Sequence, residues 1–243
     1  MPIEPWFPLA VYYTDLADAP AHKDSLVSTI LKLEEENGYK RRIDDDIAWT
    51  GDFHGVGAIH EDPQFAWIVK EVETHVFQYL EELGVDLSKI DLYIQRAWPI
   101  VSRQTQAIPP HAHHNAHVSA VYYVAVPEDG SLKSGAFTIY NTASFNEIIT
   151  GIGDKHTNAI KKRNPFNYEE GFYAPKEGRI LIFPSKQRHG VEANQTGEVR
   201  ISLSFDIFIT SSDQGNSALH EFLAPSPSQW KKINSDATME KSS

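Results

Sequence analysis

Four of the chain's eleven histidines, His111, His113, His114 and His117, fall within seven positions. His111 and His113 are two residues apart, and on an extended backbone such side chains project to one face. Two imidazoles placed this way can take adjacent corners of a metal's coordination sphere. A third ligand has to come from elsewhere, because two side chains rarely hold a labile divalent ion. His189 is the candidate, since it follows the short apolar run RILIFPS and so stands at a strand end. Imidazole donors suit iron, copper, nickel and zinc, whereas magnesium and calcium take oxygen ligands. Eleven positions beyond His189 comes Arg200-Ile201-Ser202. On a strand its guanidinium and hydroxyl face one target, and the pair suits a carboxylate. The competing reading is a salt bridge to one of the chain's 33 acidic groups. His22, His54, His60, His75, His156 and His220 read as ordinary surface or core side chains. His117 shares the strand parity of His111 and His113, which would turn it towards the same pocket.

Strands must position these groups, and the sequence supplies them from residue 91 onward. Segments rich in Val, Ile, Tyr and Phe, separated by Pro, Gly, Asp and Asn, predict strands near 92–100, 117–126, 135–140, 179–183, 190–193 and 200–209. In the last of these, Ile201, Leu203, Phe205, Ile207 and Ile209 alternate with Ser202, Ser204 and Asp206, the period-two pattern of a strand with two different faces. If the polar face lines a barrel interior, its serines line a polar pocket. Trp98 and Gln106 are further candidates for that lining. Two helices precede the strands. One is capped at Asp24 or Ser25, carries Leu26, Ile30 and Leu33, and stops at Asn37-Gly38. The other follows Pro63 with Phe65, Ile68, Val72, Val76, Leu80 and Leu83 and ends at Gly84. The polar stretch 141–170 reads as an inserted loop that could act as a lid.

Composition narrows the chemistry. The 243 residues include no cysteine, which removes thiolate metal sites, iron–sulfur clusters and cysteine nucleophiles. A net charge of −11 argues against nucleic acid as a partner. With 41% hydrophobic residues the chain can fill one or two globular cores. No apolar run reaches the ~20 residues of a membrane helix, and MPIEPWFPLAVYY lacks the features of a signal peptide, so a cytoplasmic protein without membrane partners is expected.

The order of these stretches resembles the iron(II)/2-oxoglutarate-dependent oxygenases. Within them it is most similar to a group whose pattern runs W, H-x-H-P-x-S-x-x-S-G-V-Y-Y, G-x-L-x-F, E-G-x-L-x-x-F-P-S, H-x-V and R-x-S. Here the stretches read Trp98, HAHHNAHVSAVYYV from His111, GAFTIY from Gly135, EGRILIFPS from Glu177, HGV from His189 and RISLSF from Arg200. The likeness reaches back to the N-terminal PLAVYYTDL and the helix after Pro63, and so covers most of the chain. It implies a mainly β protein with flanking helices around a double-stranded β-helix core of jelly-roll, cupin-like type. Residues 1–90 would pack on a catalytic core at 91–210, with 211–243 a tail. It also implies that His111, His113 and His189 hold Fe(II), and that Arg200, assisted by Ser202, pairs with the distal carboxylate of 2-oxoglutarate. Of Tyr122 and Tyr123, candidates to touch the co-substrate's iron-binding end, parity favours Tyr123. Gly135 has a backbone role. The implied reaction consumes O2 and 2-oxoglutarate, releases succinate and CO2, and hydroxylates an unactivated C–H bond of a small molecule, amino acid or peptide; a homodimer is compatible with this reading.

One departure stands out. Most of the superfamily uses His-x-Asp/Glu…His, and here no Asp or Glu lies between Gln104 and Pro127. Three readings follow: His113 takes the carboxylate's place; a different pair is used, with His114-Asn115-Ala116 fitting a halide-binding variant; or the site is a three-histidine cupin-type dioxygenase that does not use 2-oxoglutarate. A non-catalytic metal-binding β-helix module is the remaining alternative. The acidic net charge favours neutral or basic substrates, whereas Lys161-Lys162-Arg163 in the inserted loop favours an acidic group locally.

Overall fold

A computed structural model of the chain describes residues 4–38, 46–143, 146–153, 159–212 and 221–232. Through these residues the chain runs β1 (Tyr12–Asp15), α1 (Ala19–Asn37), β2 (Trp49–Thr50), α2 (Ala66–Glu82), β3 (Ile90–Ser102), β4 (Ile108–His111), β5 (Val118–Ala125), β6 (Phe137–Tyr140), β7 (Glu170–Tyr173), β8 (Arg179–Pro184), β9 (His189–Val191) and β10 (Arg200–Ser211). The strands form two sheets, one of six in the order β1-β8-β5-β10-β3-β2 and one of four in the order β4-β9-β6-β7, antiparallel throughout. This is the expected mainly β jelly-roll architecture with flanking helices.

All six expected strands form, with their ends moved by a few residues. Strands β1, β2, β4 and β7 were not expected. They hold two to four residues each, too few to show a period, and β4 contains Pro109 and Pro110. Helix α1 begins at Ala19, ahead of the expected cap, because Pro20 suits a first turn whose N–H groups have no intrahelical partner. Helix α2 follows a 3-10 turn at Pro63–Phe65 and ends at Glu82, short of Gly84.

The pleat of the larger sheet sorts its side chains between two cores. Ile201, Leu203, Phe205 and Ile207 of β10, with Ala120, Tyr122, Ile180 and Ile182 of β5 and β8, face the helices and pack against Leu26, Ile30, Ile68, Val72 and Val76. Each such aliphatic side chain, fully buried, stabilises the fold by about 1.5–3 kcal/mol. The opposite parity, with Val121, Tyr123, Leu181 and Phe183, faces Phe137 and Ile139 of the smaller sheet. Arg200, Ser202, Ser204 and Asp206 share that inward face and are all buried. In the segment joining β6 to β7, Arg163 pairs with Glu169 at 2.8 Å and donates to the carbonyls of Asn167 and Gly153, so its charge is engaged within the loop. Among the described residues no helix is long and apolar enough to cross a membrane.

Candidate active site

His111 and His189 face each other across the β4–β9 ladder as direct register partners. Pro109 and Pro110 cannot donate to a ladder, and the register shifts between Ile108 and His111. Gly190 lets the strands approach there, since a Cβ on it would stand 3.0 Å from the Ile108 carbonyl. Two residues past His111 the chain leaves β4, and a hydrogen bond from the His113 N–H to the Ser185 carbonyl, 3.0 Å, holds it against the larger sheet. The three rings lie with centroids 4.5–5.1 Å apart. Their potential ligand atoms all fall within 4.8 Å of one another, with His111 Nε2 and His113 Nε2 at 3.0 Å.

The hydrogen bonds on the far side of each ring fix which nitrogen carries the proton. His111 Nδ1 stands 2.8 Å from the Pro109 carbonyl, His189 Nδ1 2.7 Å from the Gln187 carbonyl, and His113 Nδ1 2.5 Å from Asp206 Oδ1. Carbonyl and carboxylate oxygens can only accept, so in each ring Nδ1 donates and Nε2 is the nitrogen left for a ligand. Burial pushes His189 down to about 3 and lowers His111 as well, so both rings favour the neutral form that can ligate. Adjacent nitrogens about 2.1 Å from a shared ion stand about 3 Å apart, as His111 and His113 do here, so this donor set fits a divalent transition metal.

Asp206 joins the site from β10. Its carboxylate is fully buried. Besides the bond from His113, it accepts from Arg96 Nη2 at 2.5 Å and from the Ser119 hydroxyl at 3.3 Å. Burial raises its pKa, but the hydrogen bonds and charges of His113 and Arg96 outweigh this and hold it below the ordinary carboxylate range. Arg96 stands directly opposite Asp206 in the β3–β10 register, just before a bulge between Asp206 and Ile207. It also lies 3.6 Å from Asp52 and 4.9 Å over the Trp98 ring.

At the other end of the same face, Arg200 is fully buried. Its Nη1 donates to Ser202 Oγ at 3.2 Å, while Nε and Nη2 have no hydrogen-bond partner. Among the described residues no carboxylate pairs with it. Burial pushes the guanidinium down and the Tyr123 phenol up, each opposed by the other's proximity. Gly135, at φ +85°, makes room, for a Cβ there would come within 3.1 Å of Arg200 Cδ. The histidines, Arg200 and Ser202 line one cavity of about 440 Å³, walled by Val121, Phe137, Phe183 and Val191.

The structure therefore gathers His111, His113, His189, Arg200 and Ser202 around one space, with Trp98 in its wall. Tyr123, expected beside the metal-binding end of a co-substrate, instead places its ring 5.0 Å from the Arg200 guanidinium. His117 does not face the pocket: it is exposed, stacks on Phe208 and accepts from the Ile209 N–H at 2.9 Å. A turn at His114-Asn115 breaks the strand between His113 and His117, so parity does not carry across it. Gln106 accepts from the Arg103 N–H in a turn. His156 and His220 lie outside the described residues. Sequence reasoning missed Asp206 and Arg96 as parts of the site, although Asp206 continues the polar alternation of Arg200, Ser202 and Ser204.

Residues 96–206 match a family model described as "Putative 2OG-Fe(II) oxygenase". No match to a curated protein is found. Among solved structures, the chain is similar to the non-heme alpha ketoglutarate dependent carbocyclase SnoK from nogalamycin biosynthesis, at 11% identity over 89% of this chain and 87% of that one, with TM-score 0.55. It is similar to HygX from Streptomyces hygroscopicus with nickel and 2-oxoglutarate bound, at 10% identity over 82% and 83%, TM-score 0.50. A Pseudomonas putida prolyl-4-hydroxylase aligns at 14% identity over 82% and 92%, TM-score 0.50. At these identities the likeness is one of fold.

Proposed function

Residues 96–206 belong to the 2OG-Fe(II) oxygenase family, and from that premise we propose that the protein hydroxylates a C–H bond of a small molecule, an amino acid or a peptide side chain, with iron held by His111, His113 and His189. The observation that carries this reading is the pairing, in one cavity, of three clustered imidazoles with a buried guanidinium that meets no carboxylate among the described residues. Iron(II) with 2-oxoglutarate supplies, when bound, the oxidation of substrate C–H to C–OH by O2, the co-substrate leaving as succinate and CO2.

The chain's own residues do the rest. The Pro109 and Gln187 carbonyls and the Asp206 carboxylate hold the three rings in the ligating tautomer. Arg200 and Ser202 take the distal carboxylate of 2-oxoglutarate, which neutralises the buried charge and fixes the co-substrate's direction. Val121, Phe137, Phe183 and Val191 keep water from the space between. Three imidazoles cluster here and none of the three donor positions is taken by a small residue, which favours hydroxylation over halogenation. The cavity must hold 2-oxoglutarate and the reacting part of the substrate together, and its 440 Å³ suits a small molecule or one side chain.

The test is to load the purified protein anaerobically with Fe(II), admit O2, and follow succinate over a panel of amino acids and peptides. Iron-dependent succinate formation is expected, and Arg200→Met should need far more 2-oxoglutarate to sustain it. Oxygen uptake that persists without 2-oxoglutarate would assign a three-histidine dioxygenase instead, and a protein that takes up no iron would be a structural module.

A further inference from the structure

The three histidines are not equivalent. His111 and His189 each donate Nδ1–H to a neutral backbone carbonyl, whereas His113 donates to a carboxylate. Fixing a ring's tautomer needs only a carbonyl, as the fold does twice. Burying a carboxylate is far more demanding, at several kcal/mol for an ion taken out of water. Yet Asp206 comes from β10, 93 residues further along the chain, and is fully buried with each oxygen in use: Oδ1 on His113 and Ser119, Oδ2 on Arg96. The Ser119 hydroxyl is itself braced by Ser185 at 2.8 Å. Arg96 is held in turn by Asp52 at 3.6 Å and by the Trp98 ring. The whole arrangement points one anion at one imidazole.

We propose that Asp206 makes His113 the strongest donor of the three. A short, charge-assisted hydrogen bond from Nδ1 to an anion pushes electron density onto the ring. Nε2 then meets a divalent cation with part of the character of an imidazolate. A centre built from three formally neutral ligands thereby gains negative charge from a residue that does not touch the metal. Arg96, which fixes the direction of the carboxylate, is a positioning residue for the same purpose. The inference rests on the reading that these histidines hold the metal.

The probe is Co(II), titrated into the metal-free full-length protein and followed by its visible d–d absorption. Asp206→Asn keeps the shape and removes the charge; a loss of about 10–100-fold in Co(II) affinity is expected, with the bands shifted to lower energy and the melting temperature of the metal-loaded sample lowered accordingly. Arg96→Gln should weaken binding in the same direction by less. Both variants binding within twofold of wild type, with unchanged bands, would overturn the role of Asp206 and leave the metal centre standing. A wild-type protein that binds no Co(II) would overturn the metal reading and this inference with it. Should Asp206→Asn fail to fold, the wild type decides: its 15N spectrum must show His113 protonated at Nδ1 with a strongly deshielded proton, and protonation at Nε2 overturns the proposal.

Discussion

The inward face of β10 carries a buried cation at one end, Arg200, and a buried anion at the other, Asp206, and the surroundings treat them oppositely. Asp206 is met by His113, Arg96 and Ser119, so the penalty of burying it is offset inside the fold. Arg200 finds one serine hydroxyl and, among the described residues, no partner for Nε and Nη2 and no carboxylate against it. Both residues lie on one strand with one parity, so neither secondary structure nor burial distinguishes them. What differs is the completeness of the partner set. A charge satisfied by the protein belongs to the scaffold of the site, and a charge left unsatisfied is a demand on a ligand.

Exchanging each charge for a similar apolar side chain tests the contrast most strongly. Arg200→Met should raise the KM for 2-oxoglutarate by about 10²–10³-fold, while the ligand-free protein melts no lower than wild type, because an uncompensated buried charge has been removed. Asp206→Leu should instead lower the melting temperature of the metal-free protein by on the order of 10 °C, since Arg96 and His113 lose their partner. Equal losses of stability in the two variants would abolish the distinction. On the opposite face of the strand, Leu203→Ala should destabilise by about 2–5 kcal/mol in urea titrations and leave the KM for 2-oxoglutarate unchanged.

Acid should act on the histidine end alone. Burial holds His189 at about 3 in the folded, metal-free protein, against 6.5 ordinarily, so the unfolded chain takes up its proton first as pH falls. Stability is therefore full above about 6.5 and declines towards about 3, by up to about 1.4 kcal/mol per pH unit for this group. Urea midpoints measured from pH 7 to pH 4 should fall monotonically. The smallest effect is expected from Tyr123→Phe, which keeps the ring beside the Arg200 guanidinium and removes only the hydroxyl. Its melting temperature should be unchanged and its KM for 2-oxoglutarate raised by no more than about 10-fold, one hydrogen bond's worth.

Much of this was legible before the structure. The strict alternation at 201–209 identified β10 and its two faces, and the His-x-His spacing picked out two rings that the fold does bring together with His189, because both depend only on the pleat of a single extended segment. The same logic failed where the segment was not extended. His117 has the parity of His113, but a turn at His114-Asn115 intervenes and sends its ring to Phe208. No Asp or Glu lies near these histidines in sequence, and the carboxylate that the fold sets behind His113 comes through the β5–β10 pairing, which places Asp206 opposite Ser119. The polar run through Arg200, Ser202, Ser204 and Asp206 was visible, but nothing local says which of its members a partner strand will satisfy.

The sequence by itself determined the period of each element, the residue types able to hold a metal, and the pairing of a guanidinium with a hydroxyl on one face of a strand. These follow from backbone geometry and side-chain chemistry within a few residues. Only the tertiary structure decided that three imidazoles cluster, that one of them leans on an anion, and that Arg200 meets none among the described residues. Hydrogen bonds and charge compensation join residues nearly a hundred positions apart, and strand register, rather than spacing along the chain, brings those residues into contact.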